Sequence, residues 1–136
     1  MSLSAENRIA IIKLLIEKSK RNFEQAVHNV DMGYWDLVAN RLYYSVFHAV
    51  NALMVNDGIK TGTHKGTAAM FGKHYVLTGR FDRNDGILYS RLQTMREKAD
   101  YQNVFCITEE EGQALVNNTE TLNRKIYEFL EGYLSN

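Results

Sequence analysis

Two groups of residues in this 136-residue chain place charged and proton-exchanging side chains at helical spacing. The first is Arg41, Tyr44 and His48. Arg41 and His48 stand two helical turns apart, so their side chains project in nearly the same direction. An arginine forks onto a phosphate, and a histidine trades protons near neutral pH. Together they suit cleavage of a phosphodiester without a metal. The second group is Arg96, Asp100 and Tyr101, within the run REKADY. Asp100 is placed to pair with Arg96 on its own helix or with Arg41 across the molecule. Each group also has a plainer reading. The first is then the exposed or interfacial stripe of a helix, and the second an ion pair that orients two helices.

Charge is balanced overall, with 16 basic and 16 acidic residues, but not locally. Between Ile59 and Arg83 lie Lys60, Lys65, Lys73, Arg80 and Arg83, with Asp82 the one acid and with His64 and His74 among them. Such a basic stretch beside a helical site suits phosphate, and with it RNA or a nucleotide. Its plainer reading is solvated surface charge. His64 and His74 have no nearby acid or cysteine in a ligand pattern, so neither a metal site nor a cofactor is expected. A G-x-S-x-G elbow, a Walker loop and an H-E-x-x-H pair are all missing, and GTHKG lacks the Walker spacing.

Glycines divide the elements that must position these residues. From about Ser4 to Val30, the residues Ile9, Ile12, Ile16, Ser19, Phe23, Ala26 and Val30 recur at three- and four-residue steps, one stripe of a long amphipathic helix. Ser4 suits its N-cap and Gly33 its stop. From about Tyr34 to Val55 most residues are apolar or aromatic, which predicts a central helix covered on most sides. Asn40, Arg41, Ser45, His48 and Asn51 share an arc of about 140° on it, with Tyr44 in the same arc. A loop (GIKTGTHKG) is expected next, then a short helix around Thr67–Val76. A helix follows from about Asn84 to Tyr101, with Leu88, Leu92, Met95 and Ala99 as its buried seam. The last helix starts at Thr108, which forms a capping box with Glu111. Leu115, Leu122, Ile126, Phe129 and Tyr133 mark its buried side. No stretch alternates with period two for long. The expected fold is all-α, an up-and-down bundle of four long helices plus one short helix, with residues 1–136 forming one domain.

Composition removes several classes. Hydrophobic residues at 45% suffice for a core, and net neutrality excludes a wholly basic coat or an acidic disordered tail. The absence of proline favours long helices. A single cysteine, Cys106, excludes a disulfide scaffold and a Cys-rich zinc module. Neither a signal peptide nor a run of 18 apolar residues is recognisable, so a soluble cytoplasmic protein with no membrane partner is expected.

The runs NRLYYSVFHAVNALM (Asn40–Met54), THKG (Thr63–Gly66) and REKADY (Arg96–Tyr101), taken in order, resemble the HEPN superfamily, in particular its small stand-alone bacterial and archaeal members. The resemblance covers almost the whole chain. It implies a helical bundle that dimerises and, in many members, a metal-independent endoribonuclease, often a toxin. A minimal nucleotidyltransferase or another small antitoxin is a frequent partner. Active members carry an arginine followed four to six residues later by a histidine, and dimerisation brings two copies to a shared cleft. The arginine would steady the scissile phosphate, and the histidine would assist proton transfer as the ribose 2′-hydroxyl attacks.

This chain departs from that pattern. Four residues separate Arg96 from Tyr101, which stands where the histidine belongs. A tyrosine with an ordinary pKa of about 10 is a poor general base at neutral pH. Arg41 and His48 meet the spacing by letter, on an earlier helix. Either the site is composite, with Arg96, His48, Arg41 and Tyr101 as catalytic candidates, or the domain has kept binding and lost nuclease chemistry. In both cases Tyr44, Asp100, His64 and Lys65 are the candidates for contacting RNA or a nucleotide. The competing reading is a non-catalytic dimerisation or protein-interaction module, with a small-ligand or metal-binding bundle behind it. Convergence of Arg41, His48, Arg96 and Asp100 in an open basic cleft favours the first reading. Burial with every polar atom paired favours an interaction module.

Overall fold

A computed structural model describes residues 4–101 and 106–134, and Tyr101 by its backbone alone. Its elements are α1 (Ala5–Val30), α2 (Trp35–Asp57), α3 (His64–Phe71), a π-helical segment (Gly72–Val76), α4 (Arg83–Tyr101) and α5 (Glu109–Leu134). The described residues form an all-α bundle of four long helices and one short one, with no strand among them. No helix among them is long and apolar enough to cross a membrane.

The helix ends follow local chemistry. The Ser4 hydroxyl accepts the Asn7 N–H at 3.1 Å and starts α1. Thr108 starts α5, accepting the Glu111 N–H at 3.0 Å and donating to the Glu111 carboxylate at 3.1 Å. Gly58, at φ +72°, ends α2 in the left-handed conformation and turns its N–H back onto α2 carbonyls. One boundary differs from the sequence expectation. The GTHKG segment, read as loop, already contains the start of α3. Thr63 caps it by accepting the Gly66 N–H at 2.8 Å, and the Thr67 hydroxyl donates to the Thr63 carbonyl at 2.9 Å. His64 is therefore held at the first helical position rather than in a loop.

α2 is the axis of the fold. Val38, Ala39, Leu42, Tyr43, Val46, Ala49, Val50, Ala52 and Leu53 are fully buried along it, with α1, α4 and α5 packed around. Ser45, expected on the polar stripe, is also fully buried. It faces Ser19 of α1, and each serine hydroxyl donates to the other's carbonyl, at 2.6 and 2.7 Å. Because the Ser19 proton is committed there, the Tyr127 hydroxyl of α5 must be the donor in its bond to Ser19. Asn123 Nδ2 donates to Ser45 Oγ at 2.8 Å. The stripe is thus split: its small polar member knits three helices together and its large members stay accessible. Ser45→Ala is expected to lower unfolding stability by about 1–3 kcal/mol, because the buried Asn123 amide loses its acceptor. Denaturant midpoints equal to those of the wild-type chain would show that this bond adds nothing.

Two ion-pair clusters anchor the segments between helices. The Tyr75 hydroxyl donates to Asp57 Oδ2 at 2.6 Å, and Arg80 pairs with the same oxygen at 3.1 Å. The Arg80 guanidinium also lies over the rings of Tyr75 and Phe129, at 4.7 and 4.6 Å. Lys125 of α5 pairs with Asp85 at 2.8 Å and Asp82 at 3.4 Å. Arg80, counted above in the basic stretch, therefore acts in packing. At the end of α5 the buried seam passes through Leu130, and Tyr133, expected inside, is 53% exposed.

Candidate functional site

The site is built on successive residues of α2. Tyr43 is buried, while Tyr44, Phe47 and His48 are partly exposed beside it. α4 brings Arg96 to this face, and the capped start of α3 brings His64. The Arg96 guanidinium lies 4.9 Å from the Tyr43 ring centre and 5.8 Å from that of Tyr44. Its Nη1 donates to the Tyr44 hydroxyl at 3.1 Å. Asp100 is on the same helix face but at 4.0 Å, the weak limit of an ion pair, and its own side chain is 44% exposed. The cation is 17% exposed, and Nε has no hydrogen-bond partner among the described residues. Burial opposes its charge, but the hydrogen bond to Tyr44, the Tyr44 and Tyr43 hydroxyl groups and Asp100 outweigh that and hold it above the ordinary arginine value. A partly enclosed, charged guanidinium whose Nε is unpaired among the described residues suits an anion better than a settled ion pair does.

His64 sits against three α2 rings, with centroids 4.6 Å from Phe47, 5.7 Å from Tyr43 and 6.0 Å from Tyr44. Its Nδ1 is 2.7 Å from the Tyr43 hydroxyl. Burial, and then the positive charge of Arg96, lower its pKa below the usual histidine value. The positive end of α3 acts in the same direction. Tyr43 moves the other way: burial pushes its hydroxyl up to about 12, so it stays neutral.

Of the sequence candidates, Tyr44 thus adjoins both Arg96 and His64, while Asp100 adjoins Arg96. Arg41 and His48 reach the same Tyr44 from the α1 side. Arg41 lies 5.4 Å over the Tyr44 ring, and the His48 ring is tilted beside it with centroids 6.3 Å apart. Arg41 donates to Asn40, to Asn22 at 2.9 Å and to Gln25 at 3.4 Å, and so has amide partners but no carboxylate among the described residues. His48 is lowered by burial and then by Lys18 and Arg41. Of the two imidazoles, it is His64 on which Arg96 bears. Asp100 pairs with Arg96 and not with Arg41. Lys65 is exposed, with no bond to the cluster among the described residues. The Tyr101 side chain lies outside the described residues. Tyr43 and Phe47 were not among the candidates, because aromatic residues in so apolar a helix read simply as core. Among the described residues, no three His, Cys, Asp or Glu side chains stand together as metal ligands.

The two lowered imidazoles make stability pH-dependent. Each is held below its unfolded value of about 6.5, so the unfolded chain binds protons more readily. Stability is complete above that pH and falls as pH drops from about 6.5 through the folded values. Urea midpoints at pH 7.5 and 5.5 should show this loss, and His48→Gln with His64→Gln should flatten it. An unchanged slope in the double variant would place the effect elsewhere.

A helical bundle with an arginine, tyrosines and a histidine at the meeting of α2, α3 and α4 defines a class. The HEPN domain family model matches residues 12–131, and the chain belongs to that family. Among its relatives is a protein of Methanocaldococcus jannaschii named "Putative toxin MJ0605", 31% identical over 124 residues, 90% of this chain and 91% of that one. A second from the same organism, "Putative toxin MJ0142", is 27% identical over 119 residues, 88% of this chain and 81% of the other. A UPF0332 protein of Thermotoga maritima is 29% identical over 92 residues, 68% of this chain and 70% of that protein.

Proposed function

We propose that this is an RNA-binding HEPN protein with weak, metal-independent endoribonuclease activity, acting as the toxin-like member of a two-protein system. The observation that carries the reading is the meeting of the Arg96 guanidinium with Tyr44 and with the His64 imidazole on one partly exposed face. Arg96 supplies the phosphate contact, the Arg41 charge adds to the positive field beside it, and the Tyr44 and Phe47 rings supply stacking surface. The toxin-like part rests on the names of the two archaeal relatives. The partner would be a nucleotidyltransferase-type antitoxin. A homodimer fits the exposed Leu14, Val27, Met32, Tyr34 and Leu37, which leave apolar surface along α1 and the start of α2. Residues 1–136 act as one domain in this reading, and the reaction uses no cofactor.

The test is incubation of the pure chain with single-stranded RNA and a chelator, with binding measured across a salt series. Binding that weakens with salt, and chelator-resistant cleavage, are the expected results. No RNA binding at low salt would leave the interaction-module reading. One observation favours that reading for a single residue: Arg41 already spends its donors on the α1 amides.

A further inference from the structure

We propose that His64, delivered from the start of α3, is the proton-transfer residue that the REKADY run lacks, and that Tyr43 is a positioning residue acting through it. The inference rests on the RNA-cleaving reading and identifies which group does the chemistry.

Three observations carry it. Tyr101 stands where the resemblance implies a histidine, and no histidine follows His74 in the chain, so the helix that carries Arg96 supplies no imidazole. His64 is the imidazole that shares a wall with Arg96. Both lie on the Tyr43 and Tyr44 rings, and the Arg96 charge bears on His64. The imidazole is also held in place by its neighbours. Phe47, Tyr43 and Tyr44 fix its plane, the Thr63 cap fixes its backbone, and the Tyr43 hydroxyl fixes Nδ1 at 2.7 Å. The Nδ1 contact leaves Nε2 as the working nitrogen. Among the described residues His48 has no such tether: its neighbours are rings and the cations Lys18 and Arg41.

The charged and titratable groups facing His64 are Tyr43 and Tyr44 from α2 and Arg96 from α4, with Lys65 next along α3. No carboxylate is among those that act on it. It is therefore neutral at pH 7, as a base must be. In the productive tautomer Nδ1–H donates to the Tyr43 oxygen, and the Nε2 lone pair is free. Nε2 takes the proton of the ribose 2′-hydroxyl while that oxygen bonds to phosphorus. The phosphorus–O5′ bond breaks, and the leaving oxygen takes a proton from water. The imidazolium then returns its own proton to solvent. The products are a 2′,3′-cyclic phosphate and a 5′-hydroxyl end. Arg96 neutralises the charge that builds on the phosphoryl oxygens.

The experiment measures RNA binding and cleavage on the same preparations of the full chain, with chelator present, for wild type, His64→Ala, His48→Gln and Tyr43→Phe. His64→Ala should bind RNA within about threefold of wild type and cleave roughly 10²- to 10⁴-fold more slowly. His48→Gln should keep most of the rate. In wild type the rate should rise with pH through a value below about 6.5. Tyr43→Phe should cut the rate roughly tenfold and move that limb to still lower pH, because the imidazolium loses an acceptor for Nδ1–H. A purely structural tyrosine would lower the amount of folded protein without moving the limb. Full cleavage by His64→Ala, or cleavage lost in His48→Gln alone, overturns the proposal and leaves the RNA reading standing. RNA binding by wild type without any cleavage also overturns it, while binding remains. Neither binding nor cleavage overturns both.

Discussion

Arg96→Ala is expected to lose RNA cleavage almost completely and to weaken RNA binding by tenfold or more. The guanidinium is only 17% exposed, and it lies over two tyrosine rings. Hydrogen bonds to a charged partner in such a place contribute about 1.5–3 kcal/mol each. If one of them forms only as charge develops on the phosphate, its loss appears in the rate and not in binding. Arg96→Lys separates charge from shape. An ammonium keeps the charge but has neither the planar stack over Tyr43 and Tyr44 nor the second donor. The lysine variant should therefore recover part of the binding and little of the cleavage. The salt dependence of binding should be close to wild type in Arg96→Lys and shallower in Arg96→Ala, by about one phosphate contact. Cleavage in Arg96→Ala equal to wild type would remove this face from the chemistry. Because the side chain is largely enclosed, circular dichroism melting must show the variant folded before either number is read.

The second large effect is on the fold. Gly112, in the first turn of α5, is buried, and the six-membered ring of Trp35 lies directly against its backbone. A β-carbon there would collide with three atoms of that ring, so Gly112→Ala must drive the indole off its seat. Two effects oppose each other. Alanine improves the helix by about 1 kcal/mol. Displacing a large aromatic side chain costs about 1.5–3 kcal/mol of lost burial, with strain in addition. The steric effect is the larger, and a net loss of about 1–2 kcal/mol is expected, roughly 5 °C in Tm. The sign should reverse in a Trp35→Ala background, where the ring is gone and the helix gain remains. A destabilising Gly112→Ala in both backgrounds would mean that the clash is not with Trp35.

The helices themselves were open to reading along the chain because their causes are local. Three- and four-residue apolar spacing, Ser4, Thr108 and the glycine stops act within a few residues of where they stand. α2 announced its central place through its apolar composition, which no surface helix carries. The π-helical segment was not legible, nor was the early start of α3. The latter depends on a threonine cap that GTHKG shares with many loops.

The residue types of the site were visible as letters: an arginine in REKADY, a histidine in THKG, paired tyrosines in α2. Their grouping was not. Spacing within one helix joins Arg41 to His48, whereas the fold sets His64 beside Arg96 through the way α3 and α4 pack on α2. The same limit explains Ser45. Its angle on the helix was correct, but whether that angle meets water or Ser19 depends on where α1 crosses. Periodicity reports directions around one axis, so it can name the helices and their polar faces. Distances between axes come from packing, and proton transfer and phosphate binding both depend on those distances.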